Sequence, residues 1–192
     1  MARISKEPEV RKQEILEAAV ALFSEKGYEK TSMADIANKV GVAQGLCYRY
    51  FPSKEILFDH SLQEYAQKIA DKMIVVLCDE TLTTAQKLER FSSHREYENE
   101  DDAYYNMYHN EQSRRIHDQL SLRICEIMVP VVAESLKTAN EKGEIQIMDY
   151  ETVASFCVFG QLGILLDSKI SADEKNKRIK TFLKILLGTL NK

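Results

Sequence analysis

The chain has 192 residues and a formal net charge of −4, with only 3 Pro and 7 Gly. That is little punctuation for an all-β fold, so a mostly helical protein is expected, long enough for one small domain and one larger one. Cys47, Cys78, Cys125 and Cys157 form no CxxC pair, which excludes a zinc knuckle and a disulfide framework and leaves four reduced thiols.

The opening MARISKEPEVRKQEIL has no apolar stretch long enough for a signal peptide. No later window of ~18 residues is free of charge, so a cytoplasmic protein without a membrane partner is expected. From Ile15, apolar residues at Ala18, Ala19, Leu22 and Phe23 form the stripe of a helix packed on one side. Gly27 should stop it as a left-handed cap. Ser32 can cap a second helix with Asp35 in its first turn, and Ile36, Ala37 and Val40 form that helix's buried face.

Gly41 closes the second helix after about two turns, and residues 43–51 form a third before Pro52 forbids continuation. Two short helices joined at a glycine make a helix-turn-helix candidate. From Lys30 to Lys54 there are four cations, Lys30, Lys39, Arg49 and Lys54, against the single Asp35, a basic patch inside an acidic whole. Ser53 caps a long fourth helix with Ile56, Phe58, Leu62, Tyr65 and Ile69 as its apolar contacts.

Residues 92–102, SSHREYENEDD, read as a solvated loop. A helix bearing Tyr104, Tyr105, Met107 and Tyr108 follows, then a long periodic run at Ile116, Leu120, Ile124, Ile127, Met128 and Val131, kinked at Pro130 and ended by Gly143. Asp149 caps a helix with Val153, Phe156, Cys157, Gly160 and Ile164, in which Gly160 and Gly163 would admit a neighbouring backbone. Ser171 and Glu174 form a capping box for the last helix, whose stripe is Ile179, Phe182, Leu183, Leu186, Leu187 and Leu190.

The segment from Ile15 to Phe58 resembles the N-terminal DNA-binding domain of the TetR family of bacterial regulators. The resemblance lies in the alanine-rich first helix ending at Phe23, Gly27-Tyr28, Thr31-Ser32, Ile36-Ala37, Val40-Gly41-Val42, Gly45, Tyr48, Phe51, Ser53-Lys54 and Leu57-Phe58. It implies an all-α protein, with a helix-turn-helix DNA-binding domain over residues 1–55 and a larger helical effector-binding and dimerisation domain over 56–192. It further implies that Thr31 and Ser32 hold a phosphate, that Gln44 reaches a base edge and that Gly45 permits close approach to the duplex. Tyr48 would bond phosphate and pack on sugar, Arg49 and Tyr50 follow it on the exposed face, and Lys54 would pair with phosphate. Gln44, Leu46, Cys47 and Arg49 depart from the family's usual residues, so no operator sequence follows from the resemblance. Cys47 reads as a small core residue.

The implied partners are palindromic double-stranded DNA, a second copy of the chain, and a small hydrophobic or amphipathic effector. Tyr104, Tyr105, Met107, Tyr108, Met128, Phe156 and Phe159 are the expected effector contacts, a large apolar area with hydroxyls for orientation. Phe156, Gly160, Gly163, Ile179, Phe182, Leu183, Leu186, Leu187 and Leu190 are the expected dimer face. The alternative is a TetR-like DNA-binding protein controlled by a protein partner, or an architectural one, without a small-molecule ligand. His94, His109 and His117 lack metal-site spacing, so no metal or cofactor is expected. There is no paired nucleophile and base, no HExxH and no glycine-rich phosphate loop, so no enzyme is expected.

Overall fold

A computed structural model describes residues 7–91 and 114–189, and among them every regular element is a helix. The chain forms two compact units. The described part of the first is drawn from Met1–Tyr65 and the start of the long central helix up to His117; that of the second comes from Ala66–Glu98 and Asp118–Lys192.

In the first unit, α1 spans Pro8–Lys26, with Pro8 in the first turn, where no backbone N–H is needed. It buries Ile15, Leu16, Ala19, Val20, Leu22 and Phe23. Gly27 has the positive φ expected of the stop, 84°, but its ψ of 157° turns the chain out extended, rather than into the left-handed helical region. α2 spans Met33–Val40 and has a complete capping box: the Ser32 hydroxyl accepts from the Asp35 N–H at 3.1 Å, and the Asp35 carboxylate accepts from the Ser32 N–H at 2.9 Å. At its other end Gly41 is left-handed (φ 76°, ψ 36°); its N–H reaches the Asn38 carbonyl while that of Val42 reaches Ala37. These two bonds form a Schellman closure, which only a residue free to take positive φ permits at low cost.

α3 spans Gln44–Tyr50 and ends at Phe51, held extended before Pro52. α4 spans Lys54–Leu77, with the Ser53 hydroxyl accepting from the Ile56 N–H at 3.2 Å. Its buried stripe is Leu57, Leu62, Tyr65, Ala66, Ile69, Ala70 and Met73, while Ile56, expected inside, is 41% exposed. Leu57 is one position on, fully buried, and lies on the same face as Tyr65, eight residues later. Ile15, Ile36, Cys47, Phe51 and Leu57 are all at 0% exposure. Each such aliphatic or aromatic side chain contributes about 1.5–3 kcal/mol by leaving water, and together they join α1 to α4 around the two short helices.

The second unit contains α5 (Thr84–Phe91), α6 (Arg114–Glu141) from Asp118 onward, α7 (Tyr150–Phe159), α8 (Leu162–Leu165) and α9 (Ala172–Thr189). α6 runs on through Pro130, and Gly143, with φ 73°, follows its end. The Asp149 carboxylate caps α7, accepting from the Thr152 N–H at 3.0 Å. The single helix expected across Gly160 is two, α7 and α8. A Cβ at Gly160 would stand 2.4 Å from the Phe156 carbonyl, and at Gly163 it would meet nothing within 4 Å. Gly160 thus serves a local turn, and neither glycine faces a neighbouring element's backbone among the described residues. One core joins α6 to α7 through Leu136, Ala139, Ile145, Ile147 and Ala154; another joins α7 to α9 through Cys157, Ile179 and Leu183. No helix among the described residues is long and apolar enough to cross a membrane.

Candidate nucleic-acid interface

α3 carries one buried residue, Cys47. Gln44, Gly45, Tyr48 and Arg49 are exposed, Tyr48 at 45%, and their i, i+1, i+4, i+5 spacing places them on one helical face. Tyr50 is half-buried, with the Arg49 guanidinium 5.9 Å from its ring centre. A Cβ on Gly45 would meet nothing within 4 Å. No packing demand among the described residues requires glycine there. Cys47 lies in the interior as expected, and burial pushes its thiol pKa up.

Beside this face lies a shallow groove of about 410 Å³. It is bordered by Glu29, Lys30, Thr31, Ser32 and Met33 at the entry to α2, by Tyr48 of α3, and by Ser53, Lys54 and Glu55 at the entry to α4. The starts of α2 and α4 both carry the partial positive charge of free helical amides. Lys30, expected only as one cation of the basic patch, belongs to this border; its position just ahead of the Thr31-Ser32 cap is the signal that could have found it. Ser32 is exposed, but its hydroxyl is engaged with Asp35, donating to the carboxylate at 2.7 Å. Those bonds, with Lys26 at 3.8 Å, hold the Asp35 pKa below the ordinary carboxylate value.

Two of the expected phosphate contacts are placed differently. Thr31 is 2% exposed, and its hydroxyl donates to the carbonyls of Gly27 at 2.9 Å and Leu22 at 3.3 Å. It closes the turn after α1 and offers no hydroxyl to a ligand. Lys54 is half-buried, and its ammonium donates to the carbonyls of Tyr28 at 2.9 Å and Thr31 at 3.0 Å while standing 4.2 Å from the centre of the Tyr28 ring. Tyr28 is packed in turn against Phe23 and Phe58, at 5.3 and 4.9 Å between ring centres. Burial and the neighbouring Glu55 carboxylate raise the Tyr28 hydroxyl's pKa; the Ser53 hydroxyl, then Glu55's own backbone N–H and, less strongly, the Tyr28 hydroxyl lower the pKa of Glu55.

In the second unit, Met128 is buried at 2%, whereas Phe156 and Phe159, expected to line an effector cavity, are 72% and 37% exposed. Both look outward from α7 because Ala154 and Cys157 take the inward positions. Of the expected dimer stripe, Ile179 and Leu183 are buried against Cys157, with Leu186 packed beside them, and Phe182 is 55% exposed. The residue beside it on the outer face is Ile185, at 62%, which the stripe did not include. Tyr104, Tyr105, Met107, Tyr108 and Leu190, and the Leu187 side chain, lie outside the described residues, as do His94 and His109. No group of three potential metal ligands is present among the described residues.

Residues 15–60 match the family described as bacterial regulatory proteins, tetR family. The HTH-type transcriptional repressor KstR2 of Mycobacterium tuberculosis is 34% identical over 90 residues, 47% of this chain and 43% of that protein, so the match spans less than half the repressor's length. A solved structure from Mesorhizobium loti assigned to the TetR-family transcriptional regulators superposes with a TM-score of 0.69 at 21% identity, over 96% of this chain and 98% of that one. RolR, solved in complex with its ligand resorcinol, gives a TM-score of 0.64 at 19% identity, over 94% and 88% of the two chains.

Proposed function

We propose that this chain, which belongs to the tetR family of bacterial regulatory proteins through its residues 15–60, is a homodimeric transcriptional repressor that binds a palindromic operator and is released from it by a small hydrophobic or amphipathic effector. The observation that carries the reading is α3: a helix with one buried residue and four exposed ones on a single face, preceded by the Schellman turn that closes α2. A helix with so little core to fill has little reason to be ordered for packing alone, and its Gln44, Arg49 and Tyr48 supply base-edge and phosphate chemistry. Lys30 adds a cation at the border of the same groove.

Dimerisation is supported by the outward Phe156 and Phe159 of α7 and Phe182 and Ile185 of α9, large apolar side chains exposed in the single chain. A two-fold interface would present two copies of α3 to a palindromic site. Effector control is supported by the likeness to a ligand-bound neighbour, RolR; weakening operator binding a hundredfold requires about 2.7 kcal/mol of coupling between the two sites.

Selection of bound duplexes from a random library by the full chain tests the core of this reading. An enriched palindrome is expected, and a library that emerges unenriched overturns DNA recognition.

A further inference from the structure

We infer that Lys54 is a positioning residue of the DNA-reading head, a pin that ties the start of α4 to the turn between α1 and α2, and not a phosphate contact. The inference rests on the DNA-binding reading above, and it departs from what the family resemblance implies for this position. Three observations converge on it. Two of the three ammonium N–H groups are satisfied by backbone carbonyls, those of Tyr28 and Thr31. The charge itself faces the Tyr28 ring at 4.2 Å, a cation–π contact. That ring is wedged between Phe23 of α1 and Phe58 of α4, so the cation closes a cluster instead of reaching out from one.

What the pin positions is specific. The Thr31 carbonyl it holds belongs to the residue just ahead of Ser32, the cap of α2, and Ser32, Tyr48 and Lys54 border one groove. Thr31 is anchored from its other side by its own hydroxyl on Gly27 and Leu22. The entry to α2 is therefore held from both sides, and the lysine sets where it stands relative to the entry of α4. An arginine cannot replace it there: its planar guanidinium would have to meet two carbonyls and a ring in a space fitted to a compact, tetrahedral ammonium.

The salt dependence of binding to a mixed-sequence synthetic duplex separates the two roles, because removing one lysine–phosphate or arginine–phosphate pair reduces the slope of log affinity against log salt by about 1. For Lys54→Arg, the positioning role predicts lower affinity by several-fold at an unchanged slope, with a lower melting temperature of the free protein. Lys54→Met should behave the same way. Lys54→Arg binding and melting like wild type overturns the pin, as does a Lys54→Met protein whose slope falls by about two, one for each protomer of the dimer. If Lys54→Met fails to fold, Lys54→Arg alone decides. If the wild-type protein binds no duplex at any salt, the DNA-binding reading fails by itself, and the melting temperatures of both Lys54 variants still report whether the pin exists.

Discussion

The Glu144 carboxylate accepts both the backbone N–H of Thr84, at 2.7 Å, and its hydroxyl, at 2.6 Å, across 60 positions of sequence. It thereby caps α5 from the far side of the second unit, alongside the helix's own capping pair of Thr83 and Gln86. Thr84 is the main cause, and Lys142 and Lys87 lesser ones, of a Glu144 pKa held below its ordinary 4.5. A carboxylate with a depressed folded pKa contributes stability in full above its unfolded value, and loses that contribution as pH falls through the folded one. Glu144→Ala should cost about 1 kcal/mol at neutral pH. In urea denaturation series at several pH values, the difference from wild type should shrink below the ordinary 4.5; a difference that stays constant into acid would show that the bond does not form.

The exposed face of α3 makes a prediction about base readout. Gln44→Ala and Arg49→Ala should each relax preference at one position of the half-site, by ~1–3 kcal/mol where the native side chain pairs with its base in bidentate fashion. Tyr48→Phe should weaken all sequences alike, because a phosphate contact carries no base information. Competition binding against single-base variants of a selected operator measures both; unchanged preference in Gln44→Ala and Arg49→Ala would move the reading face elsewhere.

Thiol labelling should separate one cysteine from the other three. Cys78 is exposed, whereas Cys47, Cys125 and Cys157 are buried, and burial pushes the thiols of Cys125 and Cys157 up to about 11. Since the thiolate is the reactive form, a disulfide reagent at pH near 8 should consume one equivalent quickly on the native protein and the rest only with denaturant. Cys78→Ser should abolish the fast phase, and a fast phase that survives would contradict the burial of the others.

Neighbouring positions on α9 should behave oppositely. Phe182→Asp combined with Ile185→Asp changes exposed residues and should leave a folded monomer with weak operator affinity, read by sedimentation and circular dichroism. Leu183→Asp instead puts a charge into the core with Cys157 and Ile179 and should destabilise the fold by several kcal/mol. A folded Leu183→Asp protein would show that α9 is rotated from the orientation described.

Much of the first unit was legible in the sequence because its signals are local. The Ser32–Asp35 box, Gly41, the extended residue before Pro52 and the Ser53 cap each act within about one helical turn, and they mark the helix-turn-helix without reference to the rest of the chain. α5 was missed although the same kind of signal, Thr83 with Gln86, stands at its start; its apolar stripe is short, and periodicity needs length to be seen.

The sequence by itself determined where α2, α3 and α4 begin and that α3 has a polar face, since capping bonds and the 3.6-residue period join neighbours in the chain. Only the tertiary structure decided which groups are left for a partner. The Lys54 ammonium meets a carbonyl 26 residues away, the Thr31 hydroxyl one 9 residues away, and Leu183 rather than Phe182 takes the place beside Cys157. A cation, a hydroxyl or a leucine has the same chemistry whether it serves the interior or a partner. What assigns it is the set of atoms that folding brings within hydrogen-bond or van der Waals reach, and those come from distant parts of the chain.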